Sequence, residues 1–321
     1  VLLRPLPFPD PDRIVILGDV LEGSNCAFCT HARVTAPDIR NYMRDTQSFA
    51  HLGGYQGTGF ELSGTGDPVA VNATRMSSEV FAVLGVTPLL GRAFTQQEDE
   101  EDQQVAVLSY GMWRTRFHSD TKILGSKVLL DRKPYTVIGV LPRNFEFPLK
   151  PGHVNQSELW VPLSLTPEEF TAGSAASWTF RMVGRLKPGI TAEQAQSDAE
   201  RVARETMRSY PAFMHSLRIH SVVTPLREDT VEQARPLVRT LLFAVIVVLL
   251  IACANMAGLL LVRSIRRRRE IAVRLALGAR TATLLRQAIV ESMVLSIAGG
   301  GIGLALAAFA LRIGVSLLPD T

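Results

Sequence analysis

The sequence predicts an α+β domain standing outside the cytoplasm, followed by two transmembrane α-helices. Three observations carry that prediction. Residues 1–236 alternate short strand patterns with a few helical ones, punctuated by Gly and Pro. Two long runs without a charged residue come after them. Charge is also unevenly divided. Of a net +4 over 321 residues, the part from Leu237 onward holds ten arginines, no lysine and three acids, net +7, which leaves 24 bases against 27 acids, net −3, before it. The basic character therefore belongs to the C-terminal part.

Along the first part, Val69–Arg75, Val105–Ser109, Lys127–Leu130 and Tyr135–Leu141 read as strands, the last two joined by the turn DRKP. The clearest helix follows Gly189. Thr191 caps it with Gln194 three residues on, and Ala195, Ala199, Val202, Ala203 and Thr206 mark one face. Strand patterns at Phe180–Leu186 and Leu217–Val223 flank it, so a β-α-β unit is expected. A second capping pattern, Thr230 with Gln233, is expected to open a stalk helix that Pro236 kinks on its way to the bilayer.

Thr240–Val262 is 23 residues without a charge, long enough as a helix to span roughly 34 Å and cross a hydrocarbon core. Ser292–Leu311 is a second such run, of 20 residues, bounded by Glu291 and Arg312. Between them, Arg263–Gln287 holds eight arginines and one acid, and positive charge in a short loop marks the cytoplasmic side. The expected division is 1–229 outer domain, 230–262 stalk and span, 263–286 cytoplasmic loop, 287–313 second span and 314–321 outer tail. An outer N-terminal domain needs a preceding signal or helix, so the sequence, beginning VLLRPLPFPDPDR, is expected to be a fragment.

Catalytic machinery is not evident. The sequence has no G-x-x-x-x-G-K-[ST] phosphate loop, no H-E-x-x-H and no G-x-S-x-G. Cys26-Ala-Phe-Cys29-Thr-His31 has one residue too many for a haem attachment and no second ligand pair for zinc, and reads as a local disulfide or two free thiols. Glu98–Asp102 (EDEED) lacks the spacing of a calcium loop and reads as a solvated loop. His215 and His220 are five apart, off the spacing for one helix face. Gly299, Gly300, Gly301 and Gly303 lie inside an apolar run with no lysine after them, and Gly299 with Gly303 makes a G-x-x-x-G pair suited to helix packing. No cofactor or metal is expected. A nucleic-acid role is excluded, since the basic run lies between two spans and lacks interleaved aromatics.

Residues 252–307, ACANMAGLLLVRSIRRRREIAVRLALGARTATLLRQAIVESMVLSIAGGGIGLALA, resemble the core of FtsX/MacB-type ABC transporter permeases. Glu270, Ile271, Arg274, Ala276, Leu277, Gly278 and Ala279 fall on one motif of that family and Glu291-Ser292 on another. FAVLGVTPLLGRAFTQQED, VAVLSYGMWRTRF and YTVIGVLPRNFEFP are similar to the MacB-like periplasmic core domain of the acidobacterial duplicated permease type. Gly258 departs from the pattern, which has a larger polar residue there.

The resemblance implies a bacterial inner-membrane protein whose periplasmic domain has a porter-like β-α-β part and an inserted smaller part, with helices one and four of a four-helix unit lying beyond this sequence. It implies a permease rather than an enzyme, with ATP hydrolysed on a separate cytoplasmic ABC ATPase, and with a periplasmic adaptor, a second permease unit and lipid as partners. Glu270, Ile271, Arg274, Leu275, Gly278 and Ala279 would dock the ATPase, with Ile271 and Leu275 entering its groove and Gly278 ending the helix. Arg263, Arg266, Arg267, Arg268 and Arg269 would fix topology and meet lipid headgroups. The alternative is an FtsX-like signalling protein that regulates a periplasmic partner without transport.

Overall fold

A computed structural model describes residues 7–22, 33–64, 67–149, 157–171, 177–208, 210, 218–276 and 281–317. In chain order its elements are β1 (Ile14–Glu22), α1 (Ala36–Asp45), β2 (Phe49–Ser63), β3 (Val69–Met76), α2 (Glu79–Leu84), β4 (Leu90–Gly91), α3 (Gln96–Glu100), β5 (Val105–Leu108), α4 (Tyr110–Arg116), β6 (Lys127–Leu130), β7 (Lys133–Val140), β8 (Leu159–Pro162), β9 (Arg181–Leu186), α5 (Ala192–Met207), β10 (Arg218–Pro225), α6 (Leu226–Ala276) and α7 (Thr281–Leu317). The chain divides into two compact units, Val1–Leu237 and Val238–Thr321. The first is α+β, as expected.

Its strands form one sheet in the order β10-β1-β9-β2-β3-β8-β5-β7-β4, with β6 pairing β2 and β7. The strands expected from sequence at β3, β5, β6, β7, β9 and β10 are all present, with ends shifted by a few residues. The expected β-α-β unit is β9-α5-β10, but it is split. β1 lies between the two strands, antiparallel to both, pairing Ile14 with Arg185 and Val15 with Pro225. Both faces of β1 are covered, so its side chains alternate between two cores. Ile14 and Ile16 join Tyr55, Met76, Val80, Leu84, Trp160 and Val183, whereas Val15 and Leu17 join Ile39, Tyr42, Leu163, Met182, Ala199 and Val202. A third core gathers Leu62, Val71, Leu108, Met112, Trp113, Leu130 and Leu159 beneath α4.

Local signals explain the helices. Thr191 and Gln194 make the capping box that starts α5, and the buried residues of that helix are Ala195, Ala199, Val202, Ala203 and Thr206, the face marked by sequence period. α1 starts on the same device. The Thr35 N–H donates to the Asp38 carboxylate at 2.9 Å, and Asp38 N–H donates to Thr35 Oγ1 at 3.3 Å. Gly85, with φ of 63°, ends α2 in the left-handed region that a side chain resists.

Candidate functional site

The first turn of α6 is built into the sheet. Leu226 is buried in the core that holds Ile14, Tyr55 and Val183. Three residues on, Asp229 Oδ1 accepts from Arg181 Nη2 on β9 at 2.7 Å, both side chains being about four-fifths buried. The register of β9 on β2 sets Arg181 opposite Tyr55, whose phenol burial pushes up. Acids in the first turn, Glu228 and Asp229, also suit the positive end of a helix dipole.

The capping pattern of Thr230 with Gln233 predicts a helix starting at Thr230. The helix starts four residues earlier, and Thr230 is not its cap. Its hydroxyl donates to the Leu226 carbonyl at 2.7 Å, one turn back, and is buried. The signal that sequence alone could not supply is Arg181, a partner 48 residues upstream of Asp229.

Beyond it, α6 stays helical through Pro236 and as far as Ala276. Arg239–Leu259 is long and apolar enough to cross a membrane, with mean hydropathy 2.6 and none of it buried. Leu241, Phe243 and Leu259 are each about two-thirds exposed, as expected of a surface whose solvent is lipid. Arg263, Arg266, Arg267, Arg268, Arg269, Glu270, Ile271, Arg274 and Leu275 all lie on this same helix. The part of the expected cytoplasmic loop up to Ala276 is therefore the end of this helix, and no Pro or Gly interrupts the chain between Gly258 and Ala276. Positions 271 and 275 are one turn apart on it. Gly278 and Ala279 lie outside the described residues.

In α7, Ser296–Ala310 is an apolar segment of the described residues, among which one helix, at Arg239–Leu259, is long and apolar enough to cross a membrane. Gly299 and Gly303 are exposed, and a Cβ added at either meets nothing within 4 Å.

The remaining candidates separate cleanly. Cys26, Cys29, His31 and His215 lie outside the described residues. The acidic run is not a solvated loop, since Gln96–Glu100 is a short helix started by a Thr95–Glu98 capping box. Glu98 is buried and takes two bonds of 2.7 Å from the Arg92 guanidinium. Those bonds, helped by the Thr95 N–H, hold its carboxyl down to about 2 against the opposing effect of burial. Asp99 accepts from the Ser164 N–H at 2.8 Å and the Ser78 N–H at 3.3 Å. These acids bind the fold to itself.

Residues 8–202 match the family described as MacB-like periplasmic core domain, and residues 242–317 match the FtsX-like permease C-terminal. The macrolide export ATP-binding/permease protein MacB of Salmonella paratyphi A is 28% identical over 241 residues, which is 75% of this chain and 35% of that protein. MacB 1 of Yersinia pseudotuberculosis is 25% identical over 253 residues, 78% of this chain and 37% of that one. The chain spans about a third of the length of these curated relatives. Among solved structures, the periplasmic region of MacB from Actinobacillus actinomycetemcomitans has 15% identity and a TM-score of 0.49, covering 70% of this chain and 92% of that one. The extracellular domain of the noncanonic ABC-type transporter YknZ from Gram-positive bacteria has 17% identity and a TM-score of 0.46, covering 66% and 99%.

Proposed function

Since the chain belongs to the MacB-like periplasmic core domain family and carries an FtsX-like permease segment, we propose that it is the permease subunit of an ABC-type export or mechanotransmission system. In this reading an ATP-binding unit outside residues 1–321 drives movement of the periplasmic domain. The observation that carries it is α6. One helix has its first turn pinned into the sheet by Leu226 and Asp229, contains the apolar segment Arg239–Leu259, and includes the motif residues Glu270, Ile271, Arg274 and Leu275.

The unit 1–236 lies in the periplasm and the arginine-rich segment in the cytoplasm, since positive charge is retained there. Arg263, Arg266, Arg267, Arg268 and Arg269 fix that orientation and meet anionic headgroups. α7 supplies the second span, and Gly299 and Gly303 pack it against a helix of a second permease unit. The cytoplasmic end of α6 docks the ATPase, with Ile271 and Leu275 filling an apolar groove and Glu270 and Arg274 at its rim. Gly278 and Ala279 turn the chain back toward the bilayer. A periplasmic adaptor completes the assembly.

The test is co-purification of the cognate ATPase with the full chain carrying Ile271→Asp or Arg274→Glu. Loss of the ATPase from the membrane fraction, with the chain still inserted, is expected. Retention of the ATPase by both variants would count against docking at this segment.

A further inference from the structure

β3 and β8 run side by side in parallel, and the chain leaves their C-terminal ends toward opposite faces of the sheet. After Met76 it passes through Ser77 and Ser78 into α2, whose Val80 and Phe81 pack in the first core. After Pro162 it passes through Leu163 and Leu165 to Phe170, which pack in the second. The crevice outside the carboxyl ends of parallel strands, where their connections diverge, is the place at which open α/β sheets hold ligands. Here it opens into a cavity of about 730 Å³, within the roughly 300–1,000 Å³ of small-molecule sites.

The floor of the cavity is apolar, made by Phe49, Leu52 and Leu163. On the α1 wall the Arg40 guanidinium lies 4.4 Å from the centre of the Phe170 ring and has no carboxylate partner among the described residues. Its neighbour Arg44 is neutralised by Asp45 at 2.7 Å. The other wall, from the start of α2 and the end of α3, presents Glu79, met by His51 Nδ1 at 2.9 Å, and Glu100, met by the Gln96 amide at 2.7 Å. The third acid there, Asp99, is occupied by backbone N–H groups. A cation on one wall and two carboxylates on the other are thus separated by hydrocarbon.

We propose that this cleft binds a short hydrophobic peptide with free termini, its carboxylate at Arg40 and its ammonium at Glu79 and Glu100. A purely cationic or anionic amphiphile leaves one wall unmatched, whereas a zwitterion with an apolar body satisfies both walls and the floor. The site is independent of the permease reading, because it lies within the outer unit and needs no ATPase.

The full chain in zwitterionic-lipid nanodiscs is titrated calorimetrically with leucyl-phenylalanyl-leucine, its N-acetylated form and its C-terminal amide, with empty discs subtracted. The free peptide is expected to bind about tenfold more tightly than either blocked form, the effect of one charge-assisted contact. Arg40→Gln should abolish the preference for a free carboxylate, and Glu79→Gln with Glu100→Gln the preference for a free amine. All three side chains line an open cleft, so the fold survives and the unfolding midpoint stays put. Equal binding of all three peptides, binding at the level of empty discs, or an amide that binds as well as the free peptide overturns the assignment.

Discussion

Arg181 of β9 and Asp229 of α6 meet at 2.7 Å with about a fifth of each side chain exposed. This pair fixes the root of the long helix to the middle of the sheet. Asp229→Ala leaves the guanidinium buried without its carboxylate and is expected to cost roughly 3 kcal/mol, whereas Arg181→Met with Asp229→Leu costs much less. Urea unfolding of Arg181→Met, Asp229→Leu and the double variant carrying both gives the coupling. Additive losses would show that the two side chains do not act as a pair.

Asp19 and Asp38 give the outer domain a pH dependence of one sign. Asp19 Oδ1 accepts from the Tyr42 hydroxyl at 2.6 Å and the Ser221 hydroxyl at 2.8 Å, and Asp38 Oδ1 from the Tyr210 hydroxyl at 2.8 Å. Burial pushes both carboxyls above their ordinary range, and for Asp19 the neighbouring Asp38 adds to the effect. The folded state therefore holds protons more tightly than the unfolded one. Stability is full below the ordinary carboxylate range and falls as pH rises through the raised values. Asp19→Asn keeps an acceptor for Tyr42 and Ser221. It is expected to be more stable than the wild type at about pH 8 and to lose that advantage near pH 4. Chemical denaturation at the two pH values measures it, and a wild type equally stable at both would refute the reading.

Glu98 acts with the opposite sign. Its carboxyl is held down to about 2, chiefly by Arg92, so its contribution is present above the ordinary carboxylate value near 4.5 and is lost as pH falls toward 2. Arg92 is more than half exposed, which screens the pair, so Glu98→Gln is expected to cost only about 1 kcal/mol at neutral pH. In acid the variant and the wild type should converge. A difference in unfolding midpoint that persists at about pH 2 would exclude this origin.

Orientation in the membrane is testable by labelling. With Cys26, Cys29 and Cys253 replaced by Ser, single cysteines are placed at the exposed Ser177 and at Ser264. A membrane-impermeant maleimide applied to spheroplasts should modify position 177 at once and position 264 only after permeabilisation, as the arginine distribution requires. The reverse pattern would invert the assignment.

How much of this was legible from sequence depended on whether a feature is local. α5 was readable because Thr191, Gln194 and the face Ala195 to Thr206 all lie within one helix. α1 carries the same kind of cap at Thr35 and Asp38, yet its buried face includes Asp38 itself, so hydrophobic periodicity does not mark it. The strands could be recognised singly, but nothing within β1 shows that it enters between β9 and β10. Arg181 and Asp229 are ordinary charges until the sheet brings them together. The cleft beside Arg40 and Glu79 exists only because adjacent parallel strands send the chain to opposite faces. Conversely, Thr230 and Gln233 made a capping pattern inside a helix that had already begun.

The position of β1 also governs how this domain comes into being. Ile14 must wait for Arg185, and Val15 for Pro225, before either edge of that strand is paired. During synthesis β1 therefore emerges first among the strands of its neighbourhood and stays open on both sides until β9 and β10 follow. Such long-range closure carries a large loop entropy and makes assembly slow. An apolar strand with two free edges is meanwhile a template for pairing with another chain. The domain's main hazard is thus kinetic, in the interval between the arrival of Val15 and the arrival of Pro225. Holding that nascent strand apart from its neighbours should raise the yield of folded protein more than any stabilisation of the finished sheet.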